Sequence, residues 1–159
     1  MTDPLAEFRL DGEVAVVTGG SSGLGQVVAE AFAAVGARVA NFDLAAKGDD
    51  AYRVDVTDEA QVKAAFEQVV ARHGRLDVLF NNAGIAIRKP TKDITLEDWN
   101  KVVGVNMTGV FLCAREAGRH MLAGGRGGRI VNTASIMGFS GAGSIPTFRT
   151  RPARARSST

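Results

Sequence analysis

The 159-residue chain contains one cysteine, one tyrosine, one tryptophan and two histidines. A lone Cys113 excludes an intrachain disulfide framework, and with only two histidines beside it no metal cage is expected. No apolar run approaches the ~20 residues that a membrane helix needs. The opening stretch, MTDPLAEFRLDGE, is polar and mixed in charge rather than basic and then apolar, so no secretory leader is expected. No acidic residue follows Glu116 and no lysine follows Lys101. Arg149, Arg151, Arg154 and Arg156 outweigh the whole net charge of +2, which leaves residues 1–148 net negative. The sequence pI of about 9.0 therefore reflects the tail rather than a nucleic-acid-binding face. Four tail charges would give only weak, salt-sensitive contacts with a polyanion. These absences predict a soluble, cytoplasmic protein with neither nucleic acid nor membrane as partner.

What is present suits one domain: 45% hydrophobic and 23% charged residues are enough for a core. Val14 to Thr18 is a short β-branched run between glycines, the pattern of a strand buried on both faces. Leu24, Val27, Val28, Ala31, Phe32 and Val35 recur at helical spacing, and Gly36 sits where a helix C-terminus is closed. Strands are predicted at Arg38 to Phe42, Tyr52 to Val54, Leu76 to Phe80 and Arg129 to Thr133. Thr57 is placed to cap a helix carrying Val62, Ala65, Phe66, Val69 and Val70 to about Gly74. Thr95 and Asp98 form a capping-box pattern, and helix continues to about Leu122 with a bend near Asn106. Alternating strands and helices imply a parallel, doubly wound α/β sheet.

The first strand runs into TGGSSGLG, Thr18 to Gly25. Glycines at Gly19, Gly23 and Gly25 permit unusual backbone angles and let a pyrophosphate approach a helix N-terminus. Asp43 ends the second strand, eighteen residues after Gly25, near where a carboxylate holds an adenosine ribose hydroxyl.

Together with DVTD at Asp55 to Asp58, NNAG at Asn81 to Gly84, VNMTGVF at Val105 to Phe111 and IVNTAS at Ile130 to Ser135, these motifs make residues 8 to about 143 resemble the classical short-chain dehydrogenase/reductase family. The resemblance implies a Rossmann-type NAD(P)-binding fold. It implies that Gly19, Ser22, Gly23, Leu24 and Gly25 border the dinucleotide, that Asp55 and Val56 meet the adenine, and that Asn82, Ala83 and Gly84 lie along the cofactor. Asp43 favours NAD, because its charge repels the extra phosphate of NADP and the glycine loop carries no Arg or Lys to offset it. Of the family's catalytic Ser, Tyr, Lys and Asn, Ser135 and Asn106 match the serine and the asparagine. Intact members act on small-molecule alcohols and ketones and are usually homo-oligomers.

The family's Tyr-x-x-x-Lys is missing. The only tyrosine is Tyr52, far upstream. Phe148 lies thirteen residues after Ser135, a family-like spacing for the tyrosine, but Pro152 stands where the lysine belongs and would break the helix that carries both. A shifted reading frame accounts for more. Codons compatible with Gly143 to Thr159, read two bases later, translate as LYPNLPYQASKGAVVN. That stretch contains YQASK, with the tyrosine codon across Arg149 and Thr150 and the lysine codon across Ala153 and Arg154. The alternative is a diverged, disordered basic tail. The sequence thus predicts an incomplete dinucleotide-binding domain over residues 1–143, cut after its fifth strand, and an out-of-frame or disordered segment over 144–159. By resemblance the function is NAD-dependent oxidation of a secondary alcohol, or the reverse ketone reduction, with this chain an inactive fragment. The rival is a non-catalytic dinucleotide-binding or interaction module. Nothing in the sequence selects a substrate.

Overall fold

The computed structural model describes residues 6–135; the expected tail, 144–159, lies outside the described residues. The strands are β1 (Val14–Thr18), β2 (Arg38–Asp43), β3 (Ala51–Arg53), β4 (Val78–Asn81) and β5 (Arg129–Asn132). The helices are α1 (Gly23–Ala34), α2 (Glu59–His73), α3 (Leu96–Val103) and α4 (Val110–Ala123), with a π-helical stretch, Gly104–Gly109, joining the last two. All strand pairs are parallel, in the order β3-β2-β1-β4-β5.

Right-handed crossovers dictate where the helices go. The chain steps from β1 to β2 in one direction, then from β3 to β4 to β5 in the other. Accordingly α1 covers one face, while α2 and α4 pack together on the opposite face. The main core lies under α2 and α4, where Val14, Val16, Ala40, Phe42, Leu79, Val62, Phe66, Leu112 and Cys113 meet. Phe42 anchors it with edge-on contacts to Phe66 and Tyr52 at 5.0 and 5.5 Å. Burial pushes the Cys113 thiol up to about 12, as suits a small core side chain with no chemistry of its own. The face under α1 is thinner. Ala15, Ala37 and Val78 are backed by Leu10, Phe32 and Val39, and Phe32 meets Phe80 edge-on at 6.2 Å.

Two local features differ from the sequence reading and a third takes a more specific form. The residues of α1 turned inward are Gly25, Val28, Ala29 and Phe32, whereas Leu24 and Val27 are 69% and 61% exposed. A single helix lying on small strand residues buries a narrower stripe than the sequence suggests. The cap of α2 is Asp58 rather than Thr57: its carboxylate accepts from the backbone N–H groups of Ala60 and Gln61, and an anion there also meets the positive end of the helix dipole. The chain from Leu96 to Ala123 stays helical, and the irregularity expected near Asn106 takes the form of the π-helical stretch that contains it. The Thr95–Asp98 capping box and the left-handed Gly74 at the end of α2 stand as the sequence predicts.

Candidate functional site

The direction of the chain reverses between β1 and β4, and in open parallel sheets the crevice beyond such a point is where ligands bind. A cleft of about 500 Å³ opens there, at the C-terminal ends of the strands. Gly19, Ser22, Leu24, Asp43, Asp55, Val56, Asn82, Ala83 and Gly84 line it. So do Phe42, Leu44, Val54 and Ile85, which no sequence signal marked for a ligand, and Val105 and Thr133, which lie in the VNMTGVF and IVNTAS motifs without an assigned role. The first four are apolar side chains with no chemistry of their own, recruited by their place near strand ends, whereas Val105 comes from the π-helical stretch and Thr133 brings a hydroxyl.

Glycine is needed in the turn beside the cleft for two different reasons, at Gly19, which lines it, and at Gly25, which does not. Gly19 has φ +69°, and a Cβ there would lie 3.0 Å from the Ala83 Cα. Gly25 is buried in the first turn of α1, where a Cβ would collide with the Gly19 carbonyl. Gly23, with φ +55°, opens α1 without lining the cleft. Ser22 occupies the N-cap position in extended backbone but makes no side-chain bond to the first turn. The first turn of α1 thus has no side-chain cap, and Ser22 and Leu24 at that end line the cleft, an arrangement suited to a phosphate.

Asp43 stands at the rim. Its Oδ2 accepts from the Ser21 backbone N–H at 3.1 Å and its Oδ1 from Ala45 N–H at 2.9 Å. Asp55 begins the turn into α2, where its Oδ1 accepts from the Thr57 N–H at 2.9 Å and the Thr57 hydroxyl at 2.7 Å. Gly109 allows the helix to approach, since a Cβ there would lie 2.8 Å from a Val56 methyl.

The far wall is tied to the first strand by the two asparagines of NNAG. Buried Asn81 donates to the Val110 carbonyl at 2.8 Å, linking β4 to α4. Asn82 donates through Nδ2 to the Thr18 carbonyl at 3.3 Å and accepts at Oδ1 from the Thr133 hydroxyl at 3.3 Å. One amide thus spans the ends of β1 and β5.

Asn106 does not line the cleft. It reaches Ile85, which does, through a pair of bonds: the Ile85 N–H donates to Oδ1 and Nδ2 donates to the Ile85 carbonyl, both at 2.9 Å. The π-helical turn that carries Asn106 is a form that recurs at functional sites. Ser135 lies just beyond β5 and is exposed. Tyr52 is on the other side of β2 from this region, against α2, and does not line the cleft. Burial first and then Asp50 push its phenol up, opposite to what an acid–base tyrosine working near neutrality requires. Among the described residues no group of three or more His, Cys, Asp or Glu is arranged to hold a metal ion, and no helix is long and apolar enough to cross a membrane.

Comparison with known proteins follows the same outline. The profile of the short chain dehydrogenase family matches residues 13–149. The chain is 43% identical over 143 residues to D-threitol dehydrogenase of Mycolicibacterium smegmatis, covering 81% of this chain and 55% of that protein. It is 37% identical over 145 residues to sorbitol dehydrogenase of Cereibacter sphaeroides, covering 84% and 57%. A crystal structure of a short-chain type dehydrogenase/reductase from Mycobacterium marinum matches with a TM-score of 0.81 at 35% identity, covering 84% of this chain and 60% of that one. The chain spans a little over half the length of the curated relatives it matches.

Proposed function

Because the chain belongs to the short chain dehydrogenase family, whose cofactor is a nicotinamide dinucleotide, we propose that its cleft holds NAD and that the whole protein interconverts a secondary alcohol and a ketone. The observation that carries this reading is the convergence on one cleft of the glycine turn, the open N-terminus of α1 and the Asp43 carboxylate. The cleft fits the cofactor's charged and polar parts. Gly19 and Gly25 let the turn pack closely, backbone on backbone, beside the N-terminus of α1, where a pyrophosphate can meet backbone N–H groups. Asp43 offers a carboxylate to the ribose hydroxyls and repels a 2′-phosphate. Val54, Val56 and Leu44 supply apolar walls on the same side. When bound, the cofactor accepts or delivers a hydride at the nicotinamide C4.

The chain's own residues account for binding and positioning. Asn106 holds the backbone of Ile85, and with it the strip that follows Gly84. Ser135 supplies a hydroxyl at the end of β5 for orienting a substrate oxygen. Neither replaces a tyrosine paired with a lysine, and the sequence contains no such pair. General acid–base groups contribute on the order of 10²–10⁴-fold in rate, so the chain as written binds cofactor and turns over no alcohol. Calorimetric titration with NAD and NADP tests the reading. NAD should bind more tightly, and Asp43→Ala should erase the difference; tighter binding of NADP to the unaltered chain would refute the assignment of Asp43.

A further inference from the structure

Asn41 lies two residues before Asp43 on β2, so both side chains leave the same face of the strand. Both reach Ser21. The Asn41 Nδ2 donates to the Ser21 hydroxyl at 3.1 Å, and the Ser21 backbone N–H donates to Asp43 Oδ2 at 3.1 Å. Asn41 Oδ1 is buried with no hydrogen-bond partner. An unpaired buried amide oxygen is costly, whereas alanine would avoid that cost. The same oxygen explains a glycine that the turn geometry leaves unexplained. Gly20 is not among the positive-φ glycines, yet a Cβ there would lie 2.5 Å from Asn41 Oδ1. Gly20 and Asn41 are therefore complementary: the loop gives up a side chain to admit the amide, and the amide fixes the next residue of the loop.

We propose that Asn41 is a positioning residue for cofactor discrimination, acting through Ser21 to hold the Asp43 carboxylate in place, and that Gly20 is glycine to admit it. This rests on the dinucleotide reading above. Asn41 touches no cofactor atom in this account. With the Ser21 hydroxyl fixed, the Ser21 N–H stays directed at Oδ2, and the negative charge stays where a 2′-phosphate would come. With the hydroxyl released, Asp43 turns more freely. NAD then loses a fixed acceptor for its ribose, while NADP loses part of a repulsion.

The test is calorimetric titration of the chain with NAD and with NADP, for the unaltered protein, Asn41→Ala, Gly20→Ala and the double variant. Asn41→Ala should weaken NAD by about 3- to 10-fold, the span of one ordinary hydrogen bond, and weaken NADP less, so that the NAD-to-NADP affinity ratio falls. Gly20→Ala should weaken NAD further, and adding Asn41→Ala to it should recover part of that loss, because the collision is removed. Equal weakening of both cofactors by Asn41→Ala would mean a merely structural role and overturn the proposal. So would unchanged affinities, or a double variant no better than Gly20→Ala. Asn41→Ser, a smaller change, gives the same ratio comparison if Asn41→Ala does not fold. An unaltered chain that binds neither cofactor would instead remove the dinucleotide reading, and this inference with it.

Discussion

The Thr18 hydroxyl accepts hydrogen bonds from two successive backbone N–H groups, those of Asn82 and Ala83, each at 2.9 Å. It also donates to Asn81 Oδ1 at 3.4 Å. Thr18 is fully buried at the end of β1, so this one side chain satisfies donors that would otherwise be stranded where β4 ends. Replacing it with valine keeps the shape and leaves two N–H groups unpaired. Thr18→Val should cost about 1–3 kcal/mol for each stranded donor, and Thr18→Ser should cost much less. Denaturant unfolding of the two variants distinguishes them; equal stabilities would show that water replaces the hydroxyl.

A second stability prediction concerns acid. Asp77 is 5% exposed. It receives the Arg75 guanidinium at 2.7 Å through both oxygens and the Val14 N–H at 2.8 Å. Burial by itself would raise this carboxyl, but the Arg75 hydrogen bonds and the Val14 N–H outweigh it and hold the group below the usual carboxylate range. The native state then binds fewer protons than the unfolded chain. The stabilisation is complete above the unfolded value of about 3.9 and is lost as pH falls from there through the lower folded value. Melting temperatures taken down through that window should fall less steeply in Asp77→Asn, from a lower starting point at neutral pH. An unchanged acid limb would contradict this.

Among the described residues β5 pairs with β4 alone, and its Ile130 and Val131 are 39% and 47% exposed. Unpaired, apolar strand edges promote association. Sedimentation of the chain should show concentration-dependent association without a fixed size. Val131→Lys, a charge on that edge, should reduce it; a sharp monomer for the unaltered chain would count against the edge as a cause.

The reading frame yields a genetic prediction. The loss of one base, or the gain of two, between Ser140 and Ser144 would account for the missing catalytic pair and for the abrupt change to a basic tail. Restoring the frame should recover Tyr-Gln-Ala-Ser-Lys and dehydrogenase activity. Thr150→Tyr with Arg154→Lys in the present frame should recover none. Sequencing the gene past Thr159 checks this directly. Immediate stops in the neighbouring frame, with no continuing strand–helix pattern, would make the tail genuine.

How legible all this is in the sequence depends on whether a residue is chosen for its own chemistry. Asp43 and the turn glycines Gly19 and Gly25 carry charge or backbone freedom that few alternatives supply, so spacing alone points to them. The five strands are equally plain, since buried parallel strands are β-branched runs. Leu44 and Ile85 are not legible, because many residues could line a wall at those positions, and Val105 and Thr133 are legible only as members of motifs, not by their place in the wall. Asn41 and Gly20 are not legible either, since their meaning lies in a contact between β2 and the loop after β1. The inward stripe of α1 departs from the periodic one for a related reason. Periodicity marks an apolar side, but Gly25 and Ala29 face the sheet because they are small, and small residues add little to the pattern.

The most direct test of the account is to map backbone amide shifts in the isotope-labelled chain as NAD is added. Shifts should concentrate at Gly19 to Gly25, Asp43 and Leu44, Asp55 and Val56, and Asn82 to Ile85, with Thr133 joining them from β5. Shifts confined to the opposite end of the sheet, around Gly74 and Gly124, or none at millimolar NAD, would contradict it.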